Sequence, residues 1–495
     1  MNEMSVSLVF NSLWRKIQQP PPHQLTESLF LRLLGLVYLA AFASFWPQVA
    51  GLLGSHGVAP AAESLAAIRT AFGFKAFYYV PSLFWLNASD MALSGACVVG
   101  CLTSLLMVAG LFSRASAAAC YILYLSLVAA GQPFTGFQWD ALLLECGFLA
   151  LFAGVPWIIW AYRFLLFRLM FESGVVKLIS HDPNWRNLHA LRFHFMTQPL
   201  PTPLAYYFYR APTWLLDSMT AVTLVIELAV PFLLFCPRRF RYAAGILFIL
   251  LQVLILLTGN YAFFNLLTLS LCIWIFDDFT YLPIKGMLLR RFPTVTRIAP
   301  PTVVKLGNAS LGVLMALGAI EVAVMLWPSE LTPLRRITSW TEPFEVVNSY
   351  GLFAVMTTTR PEIVLEGSDD QTTWTEYSFR FKPGDMHRGL PLVAPYQPRL
   401  DWQMWFAALG NYRSNPWVAG LVYRLLLNDR TVLALLDRQP FTSAPHYIRA
   451  MLYDYTFSTP EERARSGVVW NRRLLGIWLR PVSLPTSDGN TKIGN

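Results

Sequence analysis

Long apolar runs broken by short polar, charged segments fill the chain up to Trp327, and the pattern changes from Pro328 onward. Windows able to cross a hydrocarbon core of about 30 Å centre on residues 29–49, 91–112, 116–132, 141–160, 213–235, 241–258, 261–276 and 306–327. A ninth window, 162–180, carries Arg168, Glu172 and Lys177, which makes it a functional intramembrane helix or an interfacial one; it counts here as spanning. Thr258-Gly259-Asn260 is so short that the helices on either side must form a tight hairpin. Beyond Pro328 the period shortens. Tyr377, Phe379 and Phe381 alternate as in a hairpin with one buried face, Leu400–Gly410 and Trp417–Leu436 repeat as amphipathic helices, and Tyr447–Phe457 and Val468–Leu479 read as strands. The expectation is a cytoplasmic segment 1–28, a polytopic α-helical membrane domain of nine transmembrane helices over 29–327, a soluble, β-rich α+β domain over 328–484, and a polar tail 485–495.

Composition supports this division. Of the residues, 55% are hydrophobic and 14% charged, and the mean hydropathy is +0.45, more apolar surface than a soluble globule of this size can hide. The net charge of +9 gathers in loops such as 237–241 and 285–297, as expected of cytoplasmic loops facing anionic lipid; nucleic acid is not an expected partner. With nine spans, Arg15, Lys16, Arg114, Arg163 and both loops fall on one side. Loops 50–90 and 181–212 and everything after Trp327 are then exoplasmic, in periplasm or lumen. The first 28 residues lack the regions of a cleavable signal peptide, so the first membrane helix directs insertion. All six cysteines lie in or beside apolar segments without a CxxC pair, which rules out an internal disulfide framework for the soluble domain.

The densest polar constellation runs from Met170 through Pro199, with Glu172, Lys177, His181, Trp185, His189 and His194. One reading makes Lys177 a desolvated base or amine nucleophile, with Glu172 or His181 assisting and His189 as a further relay. The other makes Arg168, Glu172 and Lys177 charge pairs that hold the helix to its neighbours. Glu172 and Lys177 stand about 140° apart on a helix, so they are not automatically partners. Asp140 and Glu145 begin another apolar segment: Asp140 suits the first helical turn, and Glu145, one turn deeper, finds a natural cation in Lys177. Glu227, Gln252, Asn260, Asn265 and Glu321 are polar residues at depth suited to interhelical hydrogen bonds. The histidine spacings match no compact metal motif, and no phosphate loop, GxSxG or HExxH occurs; neither metal nor cofactor is expected. In the soluble part, Trp402, Trp405 and Phe406 beside Tyr396 and Arg399 read either as an interface anchor or as core.

Three stretches also carry a family likeness: Phe137-Gln-Trp-Asp140-Ala-Leu-Leu-Leu-Glu145-Cys-Gly-Phe148, the Lys177–Pro203 run ending Phe193-His194-Phe-Met-Thr-Gln-Pro-Leu-Pro-Thr-Pro203, and Leu257-Thr-Gly-Asn260-Tyr261 with Phe264-Asn265. The C-terminal part adds Asn348-Ser-Tyr-Gly-Leu-Phe353, Leu365-Glu-Gly-Ser368, Lys382-Pro-Gly-Asp385 and Arg399-Leu-Asp401-Trp402-Gln-Met-Trp405-Phe406. Over roughly residues 130–480 the chain resembles lipase maturation factors. That resemblance implies a membrane-bound factor, not itself an enzyme, that assists folding and assembly of secreted clients such as lipases on the exoplasmic side, with the C-terminal domain touching the client. The cysteine-free soluble domain and the lack of a C-terminal retention signal point to a bacterial inner-membrane relative; a eukaryotic one would lie in the endoplasmic reticulum membrane. The membrane half is also similar to the superfamily of vitamin K dependent γ-carboxylase, which implies an alternative: an embedded enzyme with Lys177 as base. A transporter is a more distant reading, since no inverted repeat is visible.

Overall fold

A computed structural model describes residues 23–281 and 300–485. Arg15, Lys16, the basic loop 285–297 and the tail from residue 486 lie outside the described residues. The principal helices are α1 Gln24–Leu53, α2 Ala61–Phe72, α3 Asp90–Ala109, α4 Ser113–Ala130, α5 Gln138–Ala150, α6 Ile158–Ile179, α7 Thr213–Leu228, α8 Arg238–Thr258, α9 Phe264–Cys272, α10 Pro301–Leu326, α11 Pro328–Thr338, α12 Arg399–Ala408 and α13 Trp417–Leu426.

Among the described residues six helical segments are long and apolar enough to cross a membrane: α1, α3, α4, α7 with its 3-10 continuation to Phe235, α8 and α10. The count of nine is therefore not reached, and the other three windows show why. The window 141–160 straddles a break, because α5 ends at Ala150 and α6 starts at Ile158. Between them Gly154 takes a left-handed φ of 81°, open to glycine at little cost, and its N–H donates to Glu27 Oε1 at 2.6 Å. The window 261–276 yields only the nine residues of α9 and a 3-10 turn, Ile273–Ile275. Helix α6 has 22 residues, yet Arg163, Arg168, Glu172 and Lys177 are all buried inside the protein. Turning charges inward is the arrangement that lipid surroundings demand.

The C-terminal part is α+β, with strands β1 Pro361–Ser368, β2 Thr375–Glu376, β3 Ser378–Phe379, β4 Leu436–Arg438, β5 Tyr447–Phe457 and β6 Trp470–Val482. An antiparallel sheet has the order β2-β1-β5-β6, and β3 pairs with β4 in a second, two-stranded sheet. The expected strands at 447–457 and 468–479 and the helix at 400–410 are present, and the expected hairpin becomes β1 paired with β2. Strand β1 is buried on both faces, since α12 packs against it.

This domain is seated directly on the membrane half. Arg424 donates to Gly57 O at 3.1 Å and Ser55 O at 3.0 Å, and Gln403 donates to Pro133 O. Gly420 lets α13 lie against the same loop, because a Cβ there would stand 2.0 Å from the Val58 carbonyl oxygen. Gly420→Ala is accordingly expected to loosen this seat at a cost of about 1–3 kcal/mol. Hydrogen–deuterium exchange should rise in residues 54–60 and 417–426 and stay constant in α4 and α5.

Candidate functional site

The polar residues at depth converge on the junction between the halves. After α11 the chain returns into the helical bundle as an irregular segment, 346–356, whose backbone needs partners wherever water is excluded. Glu145 Oε2 accepts from the Asn348 backbone N–H at 3.0 Å and the Tyr350 hydroxyl at 2.8 Å, while Glu172 Oε2 accepts from the Tyr350 N–H at 2.7 Å. Gln138 exchanges two hydrogen bonds with Gly351, at 3.1 and 3.0 Å. Trp185 Nε1 donates to Phe353 O at 2.8 Å, and Asp182 accepts from the Met356 N–H. Arg168 supplies the countercharge, 2.7 Å from Glu145 and 3.5 Å from Glu172, and donates to Asn348 O. Glu145 thus pairs with Arg168, correcting the expected pairing with Lys177.

A second lock joins α5 to α12. Both Asp140 oxygens accept from the Arg399 guanidinium at 2.9 Å, and Arg399 also donates to Phe134 O at 2.7 Å and Tyr124 Oη at 3.1 Å. Asp140 still lies in the first turn of α5, but its oxygens accept from Arg399 of the C-terminal domain and, at Oδ1, from the Tyr124 hydroxyl of α4. Trp402 and Trp405 are 3% and 6% exposed. Trp402 packs edge-on against Trp139, with ring centroids 4.7 Å apart, and Trp405 Nε1 donates to Thr197 O at 3.1 Å. The anchor read from these aromatics and Arg399 therefore faces the protein's own membrane half, leaving Phe406 exposed. Asp401 fixes the neighbouring turn by accepting from the N–H groups of Phe381 and Lys382, at 2.8 and 2.9 Å; burial pushes its carboxyl above the ordinary range despite those donors.

The loop ending α6 is captured from above. Asn260 is fully engaged: Nδ2 donates to Leu200 O and Pro391 O at 3.0 and 2.9 Å, and Oδ1 accepts from Val393 N–H at 2.7 Å. Arg360, fully buried, donates to Met196 O at 2.8 Å and Pro199 O at 2.7 Å. Glu362, 2.9 Å from both Arg360 and Lys382, balances it. The sequence reading missed Arg360 and Glu362; the available signal was a charged Arg-Pro-Glu triplet entering an otherwise apolar strand.

Lys177 points elsewhere. Its Nζ contacts both Glu227 oxygens at 2.9 and 2.8 Å and Ser173 O at 2.9 Å, over the Trp185 ring at 5.1 Å. A lysine so bonded is compensated, which favours the structural reading of the pair. His181 is exposed beside Arg186, and His189 makes no hydrogen bond to Lys177, so the relay from Lys177 through His181 or His189 is not assembled. Lys177, Trp185 and His194 instead line one apolar cavity of about 450 Å³ between α6, α7 and α8. Behind its lining residues Thr258 and Tyr261, Gln198 Nε2 donates to Thr258 O at 2.8 Å, which turns Oε1 toward the Tyr261 hydroxyl, also at 2.8 Å. Tyr261 has one proton to give, so it accepts from His194 Nε2, 3.1 Å away, and His194 Nδ1 is left as an acceptor. Burial, aided by the Lys177 charge, pushes the imidazole down to about 4, so the ring is neutral near pH 7. No cluster of three potential metal ligands occurs among the described residues.

These features define a multi-pass membrane protein whose C-terminal α+β domain is locked to its membrane half. The chain belongs to the lipase maturation factor family: residues 25–282 match the lipase maturation factor transmembrane domain and residues 346–479 the lipase maturation factor C-terminal domain. It is 36% identical to lipase maturation factor 1 of Bos taurus, over 93% of this chain and 89% of the relative. It is 35% identical to lipase maturation factor 2 of Gallus gallus, over 95% and 83%, and 34% identical to lipase maturation factor 1 of Homo sapiens, over 93% and 88%. No solved structure matches the chain.

Two predictions follow from the locks. Asp140→Asn or Arg399→Met alone should cost about 3–5 kcal/mol, because each strands a buried charge, whereas the double variant should recover part of that loss; thermal unfolding in detergent reads the cycle. Lys177→Met should likewise lower the melting temperature and Glu227→Gln should partly restore it in the double variant. If Lys177→Met abolishes function in a protein of unchanged stability, the pair is not structural.

Proposed function

We propose that this protein is a membrane-bound maturation factor, without an enzymatic step of its own, that receives exported proteins such as lipases on the exoplasmic side and assists their folding there. The observation that carries the reading is the rigid seating of the family's C-terminal domain on loops 54–58, 131–137, 196–201 and 259–261. The positive-inside rule puts Arg114 and the Arg238-Arg239-Arg241 loop on the cytoplasmic side, so the loops across α3, α4, α7 and α8 from them are expected on the exoplasmic side, and the bonds to all four support the same side for the domain, periplasmic in a bacterium or lumenal in a eukaryote. The relatives' names add the client class: they are called lipase maturation factors.

The client surface follows from what the locks leave free. Among the described residues β6 pairs only with β5, so its outer edge is open. Leu474, Leu475 and Ile477 on this strand are 53%, 49% and 59% exposed. An open strand edge with exposed aliphatic side chains suits addition of an extended segment from a partly folded chain, and the register shifts opposite Leu452/Tyr453 twist it, which limits self-association.

Secreted lipase produced with and without this protein tests the role through activity per secreted molecule, which should rise when the protein is present; unchanged specific activity removes the maturation reading. Ile477→Asp should weaken crosslinking of the client to the C-terminal domain at constant membrane insertion. If crosslinks persist at full yield, the edge is not the contact.

A further inference from the structure

The cavity beside Lys177 has a chemistry of its own. Its walls are mostly aliphatic and aromatic, and its volume of about 450 Å³ falls within the range of small-ligand sites. Val222 on α7 and Leu250 and Leu254 on α8 line it and are at the same time 55%, 54% and 43% exposed, so it opens sideways between these helices. Both helices are long and apolar enough to cross the membrane, and a side opening between them faces hydrocarbon. Lipid has direct access to such a cavity, whereas water has little reason to fill it.

The polar groups at its inner end select the head of that lipid. Lys177 and Glu227 neutralise each other, and among the described lining residues Lys177 is the sole basic side chain apart from neutral His194, so these residues leave no free cation for a phosphate or carboxylate. Ser218 and Thr223 donate to the carbonyls of Trp214 and Met219, at 2.7 and 2.8 Å. His194 Nδ1 is the acceptor left over by the Gln198–Tyr261 chain and calls for a donor hydroxyl. Gln252, bonded to Asn265 at 2.8 Å, lines the same wall.

We propose that this cavity binds, from the bilayer, an uncharged lipid with a long apolar chain and a free hydroxyl, as in a monoacylglycerol, its chain between α7 and α8 and its hydroxyl donating to His194 Nδ1. The site lies beneath loop 196–201, which Arg360 ties to the C-terminal domain, and binding there does not depend on the client role.

The test uses the full-length protein in phosphatidylcholine nanodiscs with two photoactivatable probes carrying the same diazirine chain, a monoacylglycerol and a phosphatidylcholine, and crosslinks mapped by peptide mass spectrometry. The monoacylglycerol probe should label peptides 215–226 and 247–255 saturably, about tenfold more than the phosphatidylcholine probe, equivalent to about 1.4 kcal/mol. Ile226→Trp, which fills the cavity, should remove that labelling while phosphatidylcholine still labels the exposed face of α10 at Leu306 and Val313. His194→Phe should abolish the preference between probes. Should Ile226→Trp lose the α10 labelling as well, the smaller change Met219→Phe takes its place and is read the same way. Equal labelling by both probes, or labelling indifferent to the filled cavity, overturns the proposal.

Discussion

Arg399 lies fully buried between the carboxylate of Asp140 and the hydroxyl of Tyr124, and the arrangement of the two halves depends on that contact. Its partners come from α4 and α5 of the membrane half, while Arg399 opens the first helix after the irregular stretch of the C-terminal domain. A guanidinium and a carboxylate removed from water are tolerated when most of their donors and acceptors are met. Tyr124 and the Phe134 carbonyl accept from the guanidinium, the Gln48 amide oxygen accepts from the Arg399 backbone N–H at 2.9 Å, and Arg399 Nε alone is left without a partner among the described residues. Since the partners are held by different domains, the cost of an unpaired charge acts against any separation of the halves.

The same constraint recurs around the segment 346–356. Helices satisfy their own backbone groups, but an irregular segment inside a bundle does not, and Glu145, Glu172, Gln138 and Asp182 supply what it lacks. Charged residues in α6 that suggest catalysis in isolation are thereby occupied: Arg168 by two acids and Lys177 by Glu227. His194, in the loop that follows, differs in kind, since its hydrogen-bond chain leaves one ring nitrogen unused beside an apolar cavity. Structural pairing and a ligand site therefore stand side by side on one helix and its following loop, close to the surface that the C-terminal domain covers.

Much of this architecture was legible in the chain. The apolar windows at 29–49, 91–112, 116–132, 213–235, 241–258 and 306–327 each became a helix able to cross a membrane, because length and hydropathy are local properties. The strands after Tyr447 were equally plain from their composition. The window 141–160 misled because hydropathy averages across a break: Gly154 and the capping of its N–H by Glu27 interrupt the helix without interrupting the apolar run. For the candidate site, the residues at the junction were named correctly but their partners were not. Glu145 was matched with Lys177 although its partner Arg168 lies nearer along the chain, and Trp402 and Trp405 were read as either surface or core.

By itself the sequence determined the division into an apolar, helix-rich half and a strand-bearing half, the family, and the small set of polar residues placed where water is scarce. Only the tertiary structure decided which of those residues meet. Pairing such as Asp140 with Arg399 or Glu145 with Tyr350 spans 259 and 205 positions of chain, and no local pattern encodes a contact of that range. It is set by how helices and loops pack, and by the requirement that each buried charge or backbone group find one specific partner.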